Sequence, residues 1–279
     1  MMQVMTLEAG KTLAERYPLL AWVGQGGMAT LWRTRDHERI ALFPLVMKCL
    51  HPHLAMIKEA RIAFFQEVQL FSQGMGVFFP RFYDCDTEGD KPFLVREYYP
   101  GIPFSKLQFS GSRALCLSWL RDIAHTLAAL HTRGWIHGDV KPANIICSLS
   151  GVARLVDFGS VRRRLDSSDD ATPWCGWQHC LWGSSAYRPQ SDNAGQAALS
   201  DTRCDFFALA VMIHEVFVGR HPFEGGRKPE SDAPTGIHKT LWRRVLAALA
   251  LDLAVRRYDA LWLTGAKSRR YQPALGGSI

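Results

Sequence analysis

The sequence has no apolar run long enough to cross a bilayer. Its longest, VLAALALDLAV at residues 245–255, falls short of about 20 residues and carries Asp252. No internal repeat is visible, which excludes solenoid and propeller architectures. The opening, MMQVMTLEAGKTLAERYPLL, lacks a basic region followed by an apolar stretch, so no secretory signal is expected there. Cysteine is unpatterned: Cys49, Cys85, Cys116, Cys147, Cys175, Cys180 and Cys204 are odd in number and scattered. That excludes a disulfide framework and favours a reduced, cytoplasmic chain. Charge is modest, at 21% against 47% hydrophobic residues, which excludes wholesale disorder. Acidic residues are outnumbered, giving a net charge of +7. This excess suits a polyphosphate ligand or acidic partners and does not choose between them.

The 279 residues suit one large domain or two small lobes. LLAWVGQGGMATLWRTRD (19–36) reads as strand, glycine turn, strand, and IALFPLVMKCL (40–50) as a further strand with Pro44 near its start. AMIKEARIAFFQEVQLFSQG (55–74) has helical spacing and ends at glycine, and KPFLVREYYPG (91–101) is a strand closed by a Pro-Gly break. The texture then changes. Residues 113–134 form an amphipathic pattern with a glycine stop, 204–223 a mostly apolar helix, and 238–263 another helical stretch. The expectation is an α+β, bilobal chain: a β-rich lobe with one helix over 1–100 and a mainly helical lobe over 101–279. A cleft between lobes is a natural ligand site.

The chemistry concentrates in WIHGDVKPANII (135–146). Asp139, Lys141 and Asn144 lie at offsets zero, two and five, and Pro142 keeps the segment a loop, so the side chains can converge. A carboxylate that orients a hydroxyl, a cation for a transferring phosphoryl group and an amide for a metal ion are what phosphoryl transfer needs. Thirteen residues after Asn144 comes LVDFGS, in which Asp157 follows an apolar strand; with Asn144 it offers the oxygen ligands a hard cation takes. Upstream, GQGGMA (24–29) could let backbone amides approach phosphate or be an ordinary hairpin turn. Lys48 ends LVMK, and Glu67 lies nineteen residues on, inside the otherwise apolar AFFQEVQLF. Glu59 is a second acidic candidate in the same helix. Asp205 opens an apolar helix, where by itself it reads as a plain N-cap.

In this order and spacing the motifs resemble the eukaryotic-like (Hanks-type) serine/threonine protein kinases of bacteria, over roughly residues 17–263. The resemblance implies a bilobal kinase fold and transfer of the γ-phosphoryl group of ATP to protein hydroxyls. Asp139, Lys141, Lys48 and Glu67 would be catalytic, with Glu67 holding Lys48 and Asp205, as the alternative to an N-cap, bracing the loop that carries Asp139. Gly24, Gly26, Gly27, Leu31, Val46 and Lys48, the backbones of Glu97 and Tyr99, and Asn144 and Asp157 would bind ATP. Asn144 and Asp157 would hold magnesium, with manganese as the alternative cation. A protein substrate and a regulatory protein are the implied partners, and no nucleic acid is expected.

The chain also departs from the family pattern. Ala29 replaces a third glycine, and Leu31 stands where valine is usual. Arg96 falls at the back of the adenine pocket, so either the strand is shifted by one residue or that pocket is unusually polar. GSSAYRPQ (183–190) resembles the end of the activation segment, with Ser184 for threonine. Gln190 replaces the glutamate that would pair with Arg256 or Arg257. Gly138 replaces the arginine that usually receives a phosphate on that segment, so activity is expected not to depend on phosphorylation at Ser167, Ser168 or Thr172. Arg162, Arg163 and Arg164 read as a solvated run or a local substitute for that arginine. WCGWQHC (174–180) lacks a fourth zinc ligand unless His221 joins it, and packing is the simpler reading. Two other functions stay open: a pseudokinase scaffold, and a small-molecule kinase of the aminoglycoside and choline type, which shares the His-Gly-Asp triplet.

Overall fold

The computed structural model describes residues 7–88, 91–107, 112–148, 150–164 and 202–251. A short ladder of β1 (Thr12–Leu13) and β2 (Tyr17–Pro18) leads into a five-stranded sheet. Its strands are β3 (Ala21–Gln25), β4 (Ala29–Thr34), β5 (Leu45–Leu50), β6 (Phe82–Asp86) and β7 (Phe93–Glu97). They lie in the order β3-β4-β5-β7-β6, with every neighbouring pair antiparallel.

Central β5 is covered on both faces, which is why LVMKCL reads as almost continuously apolar. Leu45, Met47 and Cys49 point to an outer core with Tyr17, Leu19, Trp32, Phe93 and Val95. Alternation turns Val46, Lys48 and Leu50 to the opposite, inner face. The strand expected over 40–50 starts only at Leu45; Ile40 and Leu42 are exposed, and Pro44 has no amide proton for a ladder. β6 was not anticipated: all five of its residues are half-buried, so they carry no alternation to read.

The helix expected over 55–74 is two. α1 (Pro52–Ala55) and α2 (Lys58–Ser72) are broken at Ile57, whose backbone is extended (φ −101°, ψ 116°). Ala60, Phe64, Glu67, Val68 and Phe71 make the buried stripe of α2 at helical spacing, with Glu67 its one charged member.

The remainder is mainly helical. β8 (Ile102–Pro103) precedes α3 (Arg113–His131), whose N-cap Ser112 accepts from Leu115 N through its side chain. Then come β9 (Trp135–Ile136), β10 (Ile145–Cys147), β11 (Ala153–Leu155) and β12 (Arg162–Arg163). They form a β11-β10-β8 sheet and a β12-β9 ladder.

α4 (Arg203–Val218) is buried almost all round, from Phe206 to Phe217, and Gly219 at φ +84° closes it in the left-handed conformation that glycine takes without strain. α5 (Lys239–Ala248) packs Trp242 against His214, with rings 5.5 Å apart. One large core runs from α2 through α3 to α4 and α5. It joins the sheet to the helical part and fixes the cleft between them. Among the described residues no helix is long and apolar enough to cross a membrane. The helix expected over 238–263 is shorter: it ends at Ala248 with Leu249 as its C-cap, and residues 252–263 lie outside the described residues.

Candidate active site

The loop between β9 and β10 carries Asp139, Lys141 and Asn144, and a single turn of 3-10 helix, Pro142–Asn144, folds it back on itself. Asp139 Oδ2 accepts from Lys141 Nζ at 2.6 Å and from Asn144 Nδ2 at 3.1 Å. Asn144 Nδ2 also donates to Asp139 O at 2.9 Å. The three residues singled out by spacing therefore converge on one carboxylate. Beneath them, Asp205 of α4 accepts from His137 N, Gly138 N and His131 Nε2, each at 2.8 Å. Thr202 is the N-cap of α4, so of the two readings left open for Asp205 the brace is the one observed. Burial pushes the Asp205 carboxyl up, but the His131 hydrogen bond and the loop amides outweigh it and bring its pKa below the ordinary value.

His131 was not anticipated. Its signal was available: it falls on the buried stripe of α3, and a titratable group on such a stripe calls for a buried partner.

Lys48 joins the loop to the sheet. Its Nζ lies 2.6 Å from Glu67 Oε2 and 2.9 Å from Asp157 Oδ1, linking β5, α2 and the Asp-Phe-Gly turn. Burial pulls the ammonium's pKa down, but Asp157 and Glu67 outweigh it and raise it to about 12. Burial likewise raises the Asp157 carboxyl, and the Lys48 charge more than reverses this, holding it well below the usual carboxylate range. Glu59, the other acidic candidate in α2, is exposed in the first turn.

The same face of the sheet bears Leu31, opposite Lys48, and Val46, opposite Arg96. In the β3–β4 hairpin Gly24 pairs with Leu31, and Gly26 N donates to Ala29 O at 2.9 Å. Nothing lies within 4 Å of where a Cβ on Gly24 or Gly27 would stand, which leaves the backbone of this turn open to a close approach. His51, another residue the sequence did not single out, donates from Nε2 to Gly26 O at 3.0 Å and ties the turn to the start of α1.

At the end of β7, Glu97 N is used by Arg81 O and Tyr98 N by Pro44 O, while Tyr99 N has no backbone acceptor among the described residues. The β5–β7 register pairs Val46 with Arg96 and Lys48 with Leu94. The strand is therefore not shifted, and the back of the cleft is polar.

A divalent cation would take oxygen ligands. Asn144 spends only its Nδ2 on Asp139, which leaves its amide oxygen as an acceptor, and the Asp157 side chain is 46% exposed toward the cleft. A carboxylate and an amide oxygen fit magnesium, which commonly keeps one or two protein carboxylates and completes its shell with phosphate and water. Among the described residues no group of three or more His, Cys, Asp or Glu is placed to hold a metal by itself.

Gly138, at φ +78°, sits beside Asp139, and a Cβ there would stand 2.5 Å from Arg162 Nη1. Of the three arginines read as a solvated run, Arg162 is instead buried, and Arg163 lies 4.2 Å over the Trp135 ring. Ser167, Ser168, Thr172, Cys175, Cys180, Ser184, Gln190, Arg256 and Arg257 lie outside the described residues.

Comparison with known proteins agrees with this geometry. The model of the protein kinase domain matches residues 17–251. The serine/threonine-protein kinase PknL of Mycobacterium tuberculosis is 29% identical over 217 residues, 76% of this chain and 52% of PknL. PknB of the same organism is 28% identical over 223 residues, 76% of this chain and 34% of PknB. The chain thus spans about half or less of the length of these relatives. A crystal structure of the Mycobacterium tuberculosis PknI kinase domain, a double mutant, superposes with a TM-score of 0.67 at 22% identity, covering 93% of this chain and 96% of that one. That likeness is one of fold, and it matches the expected bilobal α+β architecture. With a lysine of the sheet paired to a glutamate of α2, a loop of aspartate, lysine and asparagine, and a family model matched along most of its length, this chain belongs to the protein kinase domain family.

Proposed function

We propose that the chain is a serine/threonine protein kinase that transfers the γ-phosphoryl group of ATP to a protein hydroxyl. The observation that carries this reading is the meeting of Lys48, Glu67 and Asp157 within 3 Å contacts, opposite a carboxylate, Asp139, already hydrogen-bonded to Lys141 and Asn144.

In this reading the backbone of Gly24, Gly26 and Gly27 covers the phosphates. Leu31 and Val46 flank the base, and Glu97 O and Tyr99 N bond its edge. Lys48, held by Glu67, neutralises phosphate oxygens. Asn144 and Asp157 hold magnesium, which supplies charge neutralisation across the phosphates when bound. Asp139 orients the acceptor hydroxyl and takes its proton as the new O–P bond forms and the bond to the leaving ADP oxygen breaks. Lys141 stabilises the charge on the transferring group, and its place beside Asp139 supports serine or threonine acceptors.

The division at residues 100 and 101, a cytoplasmic location and a regulatory protein partner belong to the same proposal. The test is transfer of radiolabel from ATP to a protein substrate by wild type and Asp139→Ala. We expect Asp139→Ala to lose at least about a thousandfold in kcat, about 4 kcal/mol in barrier. Unchanged turnover sinks the assignment.

A further inference from the structure

Arg96 is a buried cation with no carboxylate of its own among the described residues. It stands one residue before the end of β7, on the same face as Lys48, and is only 4% exposed. Its Nη2 donates to Val156 O at 2.6 Å and its Nη1 to Glu97 O at 3.3 Å. Its Nε is buried without a partner among the described residues, and the guanidinium carbon lies 6.0 Å from the centre of the Phe71 ring. Burial pulls its pKa below the ordinary value, while Glu67 and Asp157 pull the other way. Desolvating a guanidinium against two carbonyls is expensive, and an apolar side chain of similar length would fill the place without that cost. Space-filling alone therefore does not account for an arginine here.

What Arg96 grips is informative. The Val156 carbonyl belongs to the peptide that leads directly into Asp157. On its other side Val156 is held too, because its N–H donates to Asn144 O at 3.0 Å. A hydrogen-bonded line thus runs from β7 through Arg96 and Val156 to Asn144, and the two residues offered as cation ligands hang from it. The charges nearby are also matched, Lys48 and Arg96 against Glu67 and Asp157.

We propose that Arg96 is a positioning residue for phosphoryl transfer: its guanidinium fixes the Val156–Asp157 peptide against β7, and so sets the spacing at which Asp157 and Asn144 hold the divalent cation. This rests on the reading that Asp157 and Asn144 are the cation ligands. A planar fork suits the role, since it reaches a carbonyl at the end of β7 and one before Asp157 at once, which a single ammonium does not.

The test compares Arg96→Met, which keeps an unbranched apolar stem and loses every donor, with Arg96→Lys and with Asp157→Asn as reference. Calorimetry measures the dissociation constant of ADP with and without magnesium, alongside thermal melting and steady-state kinetics. For Arg96→Met we expect melting at or above the wild-type temperature and metal-free ADP affinity within about twofold. The gain in affinity that magnesium brings should shrink about tenfold, and kcat should fall about tenfold with the KM for protein substrate unchanged. Arg96→Lys should recover part of both losses. If Arg96→Met keeps the full magnesium gain and kcat while Asp157→Asn loses them, the positioning role is wrong and the cation site stands. If Asp157→Asn also keeps the gain, the cation assignment fails and this inference falls with it. Should Arg96→Met not fold, Arg96→Lys decides: full wild-type magnesium gain and kcat overturn the proposal, and a partial loss in both supports it.

Discussion

The five-stranded sheet has an ionic network on each side, and the two are finished to different degrees. On the outer side Arg16 forks onto Asp36 through Nε and Nη2 and reaches Asp84 through Nη1. Tyr83 adds a hydrogen bond to Asp36 and Tyr17 one to Asp84, the Glu38 amide gives Asp36 Oδ1 a second donor, and the Cys85 amide takes the remaining oxygen, Asp84 Oδ1. All four carboxylate oxygens accept. On the cleft side Lys48 joins Glu67 and Asp157, yet Glu67 Oε1 and Arg96 Nε are buried without partners among the described residues and Asp157 stays half open. Leaving a buried polar atom unpaired costs about 1–3 kcal/mol. A closed network fastens strands together, whereas an open one keeps charge free for something that arrives later.

The comparison breaks most visibly at Lys48. Lys48→Met should lower kcat/KM for ATP at least about a thousandfold, about 4 kcal/mol in barrier terms. An outer-side substitution should leave the turnover of folded protein unchanged. Steady-state kinetics on Lys48→Met and Asp36→Asn, each checked for folding by circular dichroism, makes the contrast; an equal loss of turnover in both would erase it.

A smaller effect sharpens the outer network. Hydrogen bonds from Arg16 hold the Asp36 carboxyl well below the usual range. A carboxylate depressed on folding adds stability that is fully present above its unfolded pKa, near about 4, and is lost as pH falls toward the folded value. Asp36→Asn should therefore melt several degrees below wild type at neutral pH, and the gap should close as the pH drops below about 4. Urea midpoints across that range give the slopes, and parallel slopes would remove Asp36 from the account.

The smallest effect is expected where the family pattern predicts a large one. A Ser167→Ala, Ser168→Ala, Thr172→Ala triple variant, assayed after phosphatase treatment, should keep activity within about threefold of untreated wild type, under about 0.7 kcal/mol. Gly138 offers no cation to a phosphate there, and Arg162 already packs over it. A hundredfold loss would show that phosphate on this segment orders the site after all.

The cleft was largely legible in the sequence because its chemistry is carried by side chains at fixed offsets. Asp139, Lys141 and Asn144 converge as their spacing suggested, and a glutamate alone on an apolar helix stripe, Glu67, announced a buried cation. Less legible was whatever depends on register or on long-range pairing. Arg96 could be weighed only once Val46 was seen opposite it, and β6 hid because half-buried strands carry no alternation. Arg162 read as part of a solvated run because no local pattern reveals that a glycine 24 positions earlier makes room for it. The break at Ile57 likewise lacks a glycine or proline to mark it.

The bond from Asp205 to the amides of His137 and Gly138 also has a meaning in time. Those two protons belong to an irregular loop at the cleft, where amides ordinarily exchange with solvent fast. Here they are held by a carboxylate rooted in α4, the most enclosed helix among the described residues. They can open only when the start of α4 loosens, and that means disturbing the core. The Asp139 loop thus inherits the clock of the interior: its backbone should stay shut as long as α4 does, while the turn at Gly24–Gly27 on the other side of the cleft, held mainly by its own hairpin and His51, is free to move on a faster one.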